Sequence, residues 1–297
     1  MTGAPAEAVP AGGPRATDAR VVADLVGTRV AIELAQPGWA ARVRALLAPF
    51  LVTDPAGAAV GPEPEPDERF TVGAVVGAGE AVLRRGSIEI ARGSWPTVEA
   101  RLLAELNRSA IERYDGFAVH AGVVALGDRV ACFPGESGLG KSTMTAACIG
   151  AGFAYVSDEA LCVEPASGAV VPYPRPLALA PASAALLGID RNQRPPTGAD
   201  GELLLTAADL GGAHVEPARR LRLTDVVELR RGASEAHLEP LHRSGALAAL
   251  LSMSFNHFKD PDASVDVVAA LAADVRMWRL HHEDPVEAAA LLARAFG

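Results

Sequence analysis

Eight consecutive residues combine the types that can hold a phosphate group between a loop and a helix. They are Gly135-Glu136-Ser137-Gly138-Leu139-Gly140-Lys141-Ser142, which satisfy the pattern G-x-x-x-x-G-K-[ST]. Glycines let the backbone wrap closely around an anion, and the amide N–H groups of the loop and the helix start face it. In this pattern the lysine ammonium lies beside the outer phosphates, and the serine hydroxyl ligates magnesium. The motif predicts an ATP and Mg²⁺ site in which Thr143 extends the nucleotide contacts of the loop.

Two acidic residues, Asp158 and Glu159, end the strand-like segment that follows this motif. A carboxylate at that edge of a sheet can hold magnesium or accept a proton from an attacking hydroxyl. Neighbouring strand residues point to opposite faces, so we expect only one acid to face the phosphates. We favour Asp158 as metal ligand and base, and a turn acid without a catalytic role is the alternative.

The elements around these residues predict a mixed sheet. Apolar, β-branched runs on either side of Gly127-Asp128 indicate an antiparallel hairpin over 117–133 that leads into the loop. A helix over 141–151 and a strand over 153–156 follow, and then a second hairpin over 160–173. Because hairpins adjoin both the loop and the acids, the sheet is expected to mix parallel and antiparallel strands in an α/β fold.

Composition excludes several classes of protein. The chain has 297 residues, of which 49% are hydrophobic and 21% charged, so it is not disordered as a whole. Its 36 acidic and 27 basic residues give a net charge of −9, which argues against a general binder of nucleic acid or anionic membranes. It has no signal peptide pattern, no apolar run long enough to span a bilayer, and three cysteines without ligand spacing. We expect a soluble, cytoplasmic protein.

Hydrophobic periodicity predicts the remaining elements. Before the motif we expect strand structure over 21–34, a helix over 39–51, a proline-rich linker over 54–68, strands over 70–76 and 81–90, and a helix over 97–114. After it we expect a strand over 223–229, helices over 243–251 and 264–273, a strand over 275–280 and a helix over 285–296. A polar loop over 189–202 is a candidate lid, in which Arg191 and Arg194 could close over the γ-phosphate.

The central fifty residues, 114–163, resemble a known family. They contain H-A-G-V-V before the first hairpin, G-E-S-G-L-G-K-S-T in the loop, and A-G-F-A-Y-V-S-D-E-A-L after it. These runs are similar to the C-terminal domain of HPr kinase/phosphorylase. The runs P-Y-P-R-P-L and S-M-S-F-N-H are similar, more weakly, to HPr-kinase-like proteins of ribosomal and lasso peptide clusters. About half of the chain is covered.

The resemblance implies a P-loop phosphotransferase with a fold like that of phosphoenolpyruvate carboxykinase. Such enzymes use ATP and Mg²⁺ to phosphorylate a serine hydroxyl, and they form homo-oligomers. Lys141 and Ser142 match the nucleotide and metal positions, Asp158 and Glu159 match the catalytic Asp-Asp pair, and His120 matches the active-site histidine. The second acid is Glu in this chain, which leaves open which carboxylate is the base. The family's acidic–Arg-Gly signature soon after the acid pair is absent, since Glu228-Leu-Arg-Arg-Gly lies on a later predicted strand.

With the resemblance, the chain is expected to divide into a disordered tail (1–20), an N-terminal α+β accessory region for substrate recognition (21–112) and a P-loop kinase domain (113–297). The main hypothesis is a kinase for a serine-type hydroxyl on a peptide or protein, with a ribosomal or lasso peptide precursor as the sharpest form. Two alternatives stay open: a kinase of small-molecule hydroxyls, and an ATP-binding adaptor without turnover.

Several further residues have both a functional and a structural interpretation. His120 lies in an apolar strand, where a histidine is often a core residue. Arg175, in a proline-rich turn, could reach phosphate or a substrate carboxylate, or it could face solvent. Asn256, His257 and Lys259 could shape a substrate pocket. His281-His282 adjoins Glu283-Asp284, but the side chains of neighbouring strand histidines diverge, so this run is a weak metal candidate. Cys132 and Cys148 are expected in the core.

Overall fold

A computed structural model of the chain describes residues 19–52, 65–75, 77, 79–190 and 201–297, which form an α/β protein. Outside these residues lie the predicted tail up to residue 18, most of the proline-rich linker, and the part of the candidate lid that contains Arg191 and Arg194. Ala19 and Arg20, which we assigned to the tail, begin the first strand instead. They pair with Leu34 and Glu33 of the next strand, which draws them into the sheet.

The N-terminal part contains a five-stranded sheet with helices packed on it. Its elements are β1 (Ala19–Leu25), β2 (Thr28–Leu34), α1 (Pro37–Leu46), β3 (Glu68–Ala74), β4 (Ala81–Arg85), β5 (Ile88–Gly93) and α2 (Trp95–Arg113). The strands lie in chain order, and β2 and β3 are the parallel pair because α1 connects them. Glycine turns at Gly27 and Gly86, both at positive φ, split the predicted segments 21–34 and 81–90 into two strands each.

The rest of the described chain carries the motif and contains a second sheet, which has eight strands. Its elements are β6 (Phe117–Leu126), β7 (Arg129–Pro134), α3 (Lys141–Gly150), β8 (Ala154–Ser157), β9 (Ala160–Glu164), β10 (Ala169–Val171), β11 (Leu177–Leu179), α4 (Pro181–Leu186), β12 (Leu203–Leu205), β13 (Asp225–Arg231), β14 (His237–Leu241), α5 (Ser244–Ser252), α6 (Pro261–Asp274), β15 (Arg276–His282) and α7 (Pro285–Phe296). The strand order is β10-β9-β6-β7-β13-β15-β14, with β8 also paired to β6, and β11 and β12 form a separate two-stranded sheet.

This sheet is mixed, as the hairpins predicted. The pairs β6–β7 and β9–β10 are antiparallel, whereas β13 runs parallel to both β7 and β15. The carboxyl ends of β7, β13 and β15 therefore meet at one edge, and the motif begins immediately after β7. Residue periodicity did not predict β11, β12, β14 or α4, because each has no more than six residues and offers too few positions for a repeating pattern.

The core is apolar on both sides of the second sheet. The helices α5 and α6 cover one face, while α3 and α7 pack together on the other. Cys132, Cys148 and Cys162 are free and fully buried, which confirms that the first two belong to the core. No helix in the described part of the chain has both the length and the apolar character needed to cross a membrane.

Candidate functional site

The glycine-rich loop connects the end of β7 to the first residue of α3. Gly138 and Gly140 adopt φ of +88° and +89°, a backbone conformation that side-chain-bearing residues rarely take. Gly140 is the N-cap of α3, and no side chain caps this end of the helix. The first intrahelical bond runs from the Met144 N–H to the Gly140 carbonyl, so the N–H groups just before it point outward from the helix start. This end of α3 can receive an anion.

Lys141 extends across the loop from the start of α3. Its Nζ donates a hydrogen bond to the Glu136 carbonyl oxygen at 2.7 Å, and the residue is only 6% exposed. Burial lowers the pKa of the Lys141 ammonium, and the carboxylates of Glu159 and Asp158 oppose that shift. The ammonium is thus close enough to both acids for their charges to stabilise it.

A cavity of about 500 Å³ lies against the loop. Five motif residues line it, namely Ser137, Gly138, Gly140, Lys141 and Ser142, together with Thr143, whereas Gly135, Glu136 and Leu139 lie outside the lining. The other predicted residues that reach it are His120, Asp158, Glu159 and Arg175. The structure therefore brings together, in one cavity, side chains that lie as far apart in the chain as residues 120 and 175.

Both acids line this cavity, and the Arg175 guanidinium contacts both carboxylates, so the alternation of faces that we expected for neighbouring strand residues does not apply to them. The strand β8 ends at Ser157, and Asp158 and Glu159 form a bend before β9 begins at Ala160. The Ser157 hydroxyl oxygen accepts hydrogen bonds from the N–H groups of Glu159, at 3.3 Å, and Ala160, at 3.1 Å. Alternation of faces applies only within a strand, so the bend allows both carboxylates to point the same way.

Arg175 pairs with both carboxylates. One of its terminal nitrogens lies 3.1 Å from Glu159 Oε2, and its Nε lies 3.3 Å from Asp158 Oδ1, although the latter contact lacks hydrogen-bond geometry. Its side chain is 15% exposed, so the interpretation as a solvent-facing turn residue is wrong. The prolines around it hold the turn against the sheet, and the guanidinium balances the charge of the acid pair.

Asp158 is almost completely buried and is hydrogen-bonded to the Tyr155 hydroxyl. Burial raises the pKa of the Asp158 carboxyl, and the Arg175 guanidinium opposes this shift. The Tyr155 hydroxyl lies 2.9 Å from Asp158 Oδ1 and 2.8 Å from the Arg175 carbonyl oxygen. The phenol has a single proton, so it can donate to only one of these two oxygens. If it donates to the Arg175 carbonyl, a proton on Asp158 can in turn be donated to the phenol oxygen, which satisfies both contacts. The surroundings suit a carboxyl group that gains and loses a proton.

His120 lies on β6 at the edge of the cavity, which is not the position of a fully enclosed core histidine. Its Nδ1 is 3.1 Å from the Glu159 carbonyl oxygen and 3.7 Å from Glu159 Oε1. The ring of Phe255 contacts it edge-on, with centroids 5.2 Å apart. Burial and the Lys141 charge lower the pKa of His120, while Glu159 opposes them, which favours a neutral imidazole beside the acid pair.

Four further residues belong to this site: Tyr155, Ser183 and Arg231 had no predicted role, and His282 was considered only as a weak metal candidate. Tyr155 buttresses Asp158, and the Ser183 hydroxyl accepts a hydrogen bond from Thr143 Oγ1 at 2.8 Å. Arg231 and His282 line the cavity from the ends of β13 and β15. The parallel strands explain these two, because the carboxyl ends of such strands meet at the ligand edge of a sheet. That rule could have indicated them, had the strand order been known.

Three predicted pocket residues lie elsewhere. Asn256 is buried and holds the start of β6: it accepts from the Ala118 N–H at 3.0 Å and donates to the Gly116 carbonyl at 2.7 Å. Lys259 donates to the Glu112 carbonyl at 2.5 Å, beside the end of α2, and His257 is exposed. None of the three lines the cavity.

The donors needed for a metal ion bound together with phosphate are present in part. The Ser142 hydroxyl is half-buried at the helix start and lines the same cavity as Asp158, which is the oxygen-only donor set that Mg²⁺ prefers. Two protein oxygens suit a magnesium ion that takes further ligands from phosphate and water. Among the described residues no group of three or more His, Cys, Asp or Glu side chains could hold a metal by itself.

Fold and site together define an α/β protein with a glycine-rich strand–loop–helix unit facing a pair of acids, of which Asp158 is buried and Glu159 is partly exposed. Such an arrangement can hold an anion at the helix start and accept a proton a short distance away. No protein-family model matches the chain, and a search of curated proteins finds no match.

Proposed function

We propose that this protein is an ATP-dependent phosphotransferase that moves the γ-phosphate of ATP to a hydroxyl group. The observation that carries the proposal is that Lys141 and the Asp158–Glu159 pair line one cavity with the glycine-rich loop. In-line phosphoryl transfer needs an anion cradle on one side and a proton acceptor on the other. The mixed sheet also supports the resemblance to HPr-kinase-like enzymes, whose P-loop kinase fold we propose for this chain.

The loop and α3 hold the triphosphate. The outward N–H groups at the helix start and the positive end of the helix dipole attract the phosphates, and the Lys141 ammonium neutralises their outer charge. Ser142 and Asp158 are the oxygen donors that would hold Mg²⁺, which neutralises further charge when bound. Lys141 and Asp158 are themselves buried beside the cavity, which strengthens these interactions relative to bulk water.

The acid pair activates the acceptor. The acceptor oxygen forms a bond to the γ-phosphorus as its proton passes to a carboxylate, the bond to the bridging oxygen breaks, and ADP leaves. We assign the base role to Asp158, because burial raises the pKa of its carboxyl toward the working pH. The Arg175 guanidinium balances the negative charge of Glu159. The neutral His120 imidazole positions Glu159 through its contact with the Glu159 backbone carbonyl.

A peptide or protein serine is the acceptor that we favour. The segment 253–258 packs against His120 on β6, where the Met253 carbonyl accepts from the His120 N–H at 2.7 Å and Phe255 contacts the imidazole ring. Phe258, three residues further, is 70% exposed. An exposed aromatic side chain on the segment that contacts His120 suits a polymeric acceptor more than a small polar molecule. ATP use and free thiols fit a cytoplasmic location.

The test is phosphate transfer by the purified full chain. Serine-containing peptides, including ribosomal peptide precursors, are incubated with ATP and Mg²⁺, and mass spectrometry detects the added phosphate. Asp158→Asn should lower kcat by about 100-fold or more, the contribution of a general base, while ATP binding persists. Asp128→Asn, in the exposed turn before β7, is the matched control and should act as wild type. Equal rates for the two variants would exclude Asp158 as the base, and ATP binding without turnover on any acceptor would support the adaptor instead.

A further inference from the structure

His282 is a buried side chain with unused hydrogen-bonding capacity. It is 5% exposed, and neither ring nitrogen has a hydrogen-bond partner. Burial and the nearby Arg231 lower the pKa of the imidazole, against the opposing charges of Glu283 and Asp284. A neutral imidazole has one donor and one acceptor, and a buried polar group normally has a partner. Because His282 lines the cavity, a ligand there can supply that partner.

The sheet places His282 on the side of the loop away from the acids. From β7, the strand β6 with His120 lies on one side, and β8, which leads to Asp158, pairs with β6. The strands β13 and β15 lie on the other side, and their last residues, Arg231 and His282, are paired in register. At about 4.8 Å between strands, His282 is roughly 10 Å across the sheet from β7.

This arrangement orients a bound nucleotide. If the γ-phosphate faces the acids, then the α-phosphate and the nucleoside extend from the loop in the opposite direction. They must then cross the carboxyl ends of β13 and β15, where Arg231 and His282 line the same cavity. The crevice beyond the carboxyl ends of parallel strands is also the usual ligand position in open α/β sheets.

The same part of the cavity has apolar surfaces that suit a planar base. Leu186, the last residue of α4, lines the cavity and is 53% exposed, and Pro285, the first residue of α7, lines it too. The residues next to them, Leu187 and Val286, line a neighbouring cavity together, so the end of α4 lies close to the start of α7. An aromatic base could contact these side chains while its polar edge or its sugar meets the imidazole.

We propose that His282, with Arg231 and the apolar surface of Leu186 and Pro285, forms the subsite for the nucleoside half of the nucleotide. The inference rests on the proposed function, because it takes the triphosphate to lie on the glycine-rich loop. His282 hydrogen-bonds the ribose or the base, and it is a binding residue that makes no contact with the transferred phosphate.

Two ligands of different length test this subsite. Isothermal titration measures the binding of Mg·ATP and of inorganic triphosphate with Mg²⁺ to the full chain and its variants. His282→Ala should weaken ATP binding about tenfold, the value of one lost hydrogen bond, and leave triphosphate binding unchanged. His282→Gln, which keeps a donor and an acceptor, should recover part of the loss. His281→Ala is the matched control, since His281 contacts Glu239 and does not line the cavity.

The outcomes separate the two proposals. Unchanged ATP affinity in His282→Ala, or an equal loss for ATP and triphosphate, would overturn the subsite while leaving the loop as the phosphate site. Lys141→Ala should bind neither ATP nor triphosphate. If the wild-type chain binds neither ligand, the proposed function fails, and the subsite fails with it. Thermal unfolding of each variant shows that it is folded at the temperature of the titration, since removing a buried side chain such as His282 costs packing even where no hydrogen bond is lost.

Discussion

Charge at the site is concentrated in a few buried residues rather than spread over the surface. The chain has a net charge of −9 and only two lysines, Lys141 and Lys259. Lys141 is buried in the loop and faces Asp158 and Glu159, while Lys259 lies outside the cavity and contacts the end of α2. An acidic protein can thus offer a local anion site, because the effect of a charge depends on its distance and its burial.

The shape of the cation at position 141 is expected to matter as much as its charge. The Lys141 Nζ reaches the Glu136 carbonyl through a narrow loop at 2.7 Å, and a planar guanidinium is wider than an ammonium. Lys141→Arg should therefore lower phosphate transfer by roughly 100-fold, similar to the loss of one transition-state donor. Steady-state kinetics with ATP and an accepted peptide measures the effect.

The second lysine supplies the control for that change. Arginine at position 259 can still donate to the Glu112 carbonyl, so Lys259→Arg should retain wild-type kinetics. Full activity of Lys141→Arg would contradict a point-charge role for the lysine in the loop. Both variants should show the same thermal unfolding as wild type if the substitutions act only on the chemistry.

At the scale of the element, the contact between β6 and α3 fixes the direction in which the loop faces. A Cβ atom on Gly122 would lie 2.4 Å from Thr145 Oγ1 and 3.4 Å from the Phe133 ring. The missing side chain lets the helix lie directly on the strand that carries His120. The Thr145 hydroxyl is buried there with no hydrogen-bond partner. The distance between loop and histidine thus depends on a glycine outside the motif.

A methyl group added at position 122 should push α3 away from β6. Gly122→Ala is expected to destabilise the protein by about 1–3 kcal/mol, the usual cost of overpacking, and to weaken ATP binding. Chemical denaturation followed by circular dichroism measures the free energy of unfolding. Adding Thr145→Ala removes the clashing oxygen and should restore most of the stability. Gly73→Ala, at a strand position with no atom within 4 Å, should be close to neutral, and a similar loss there would show that the effect is not steric.

The sequence predicted the elements whose local pattern is strong and missed what depends on tertiary pairing. The hairpin of β6 and β7, the loop and α3 follow from turn residues and periodicity within the continuous segment 117–150. Arg231 and His282 could not be placed, because only the parallel pairing of β7, β13 and β15 brings their strand ends to the loop. The same holds for Glu159, because the direction of its side chain depends on the bend at Asp158 and Glu159 and not on the alternation of a continuing strand.

At the scale of the whole molecule, one buried carboxylate joins the three parallel strands beneath the site. Asp225, at the start of β13, accepts from the Arg129 guanidinium of β7 at 2.6 and 2.8 Å and from the Trp278 indole N–H of β15 at 2.8 Å. The Thr224 hydroxyl donates to it at 2.7 Å. These bonds fix the relative positions of strands whose opposite ends carry the loop, Arg231 and His282.

The Asp225 network makes part of the stability depend on pH. Burial raises the pKa of Asp225, but hydrogen bonds from Arg129, Thr224 and Trp278 outweigh it and hold the pKa below its ordinary value. The folded state therefore binds this proton more weakly than the unfolded state. Its contribution is fully present above the unfolded pKa of about 3.9 and is lost as the pH falls through the lower folded value.

Asp225→Asn should remove that contribution and cost roughly 3 kcal/mol at pH 7, since it leaves Arg129 without its buried partner. The decisive measurement is the free energy of unfolding from pH 7 to pH 2 for wild type, Asp225→Asn and the exposed control Asp128→Asn. Below about pH 4 the wild-type and Asp225→Asn curves should begin to approach each other, and they should meet once the pH is below the folded pKa of Asp225, because acid removes from the wild type what the substitution has already removed. Parallel curves would mean that Asp225 does not stabilise the fold through its charge, and the strand ends at the site would then need another anchor.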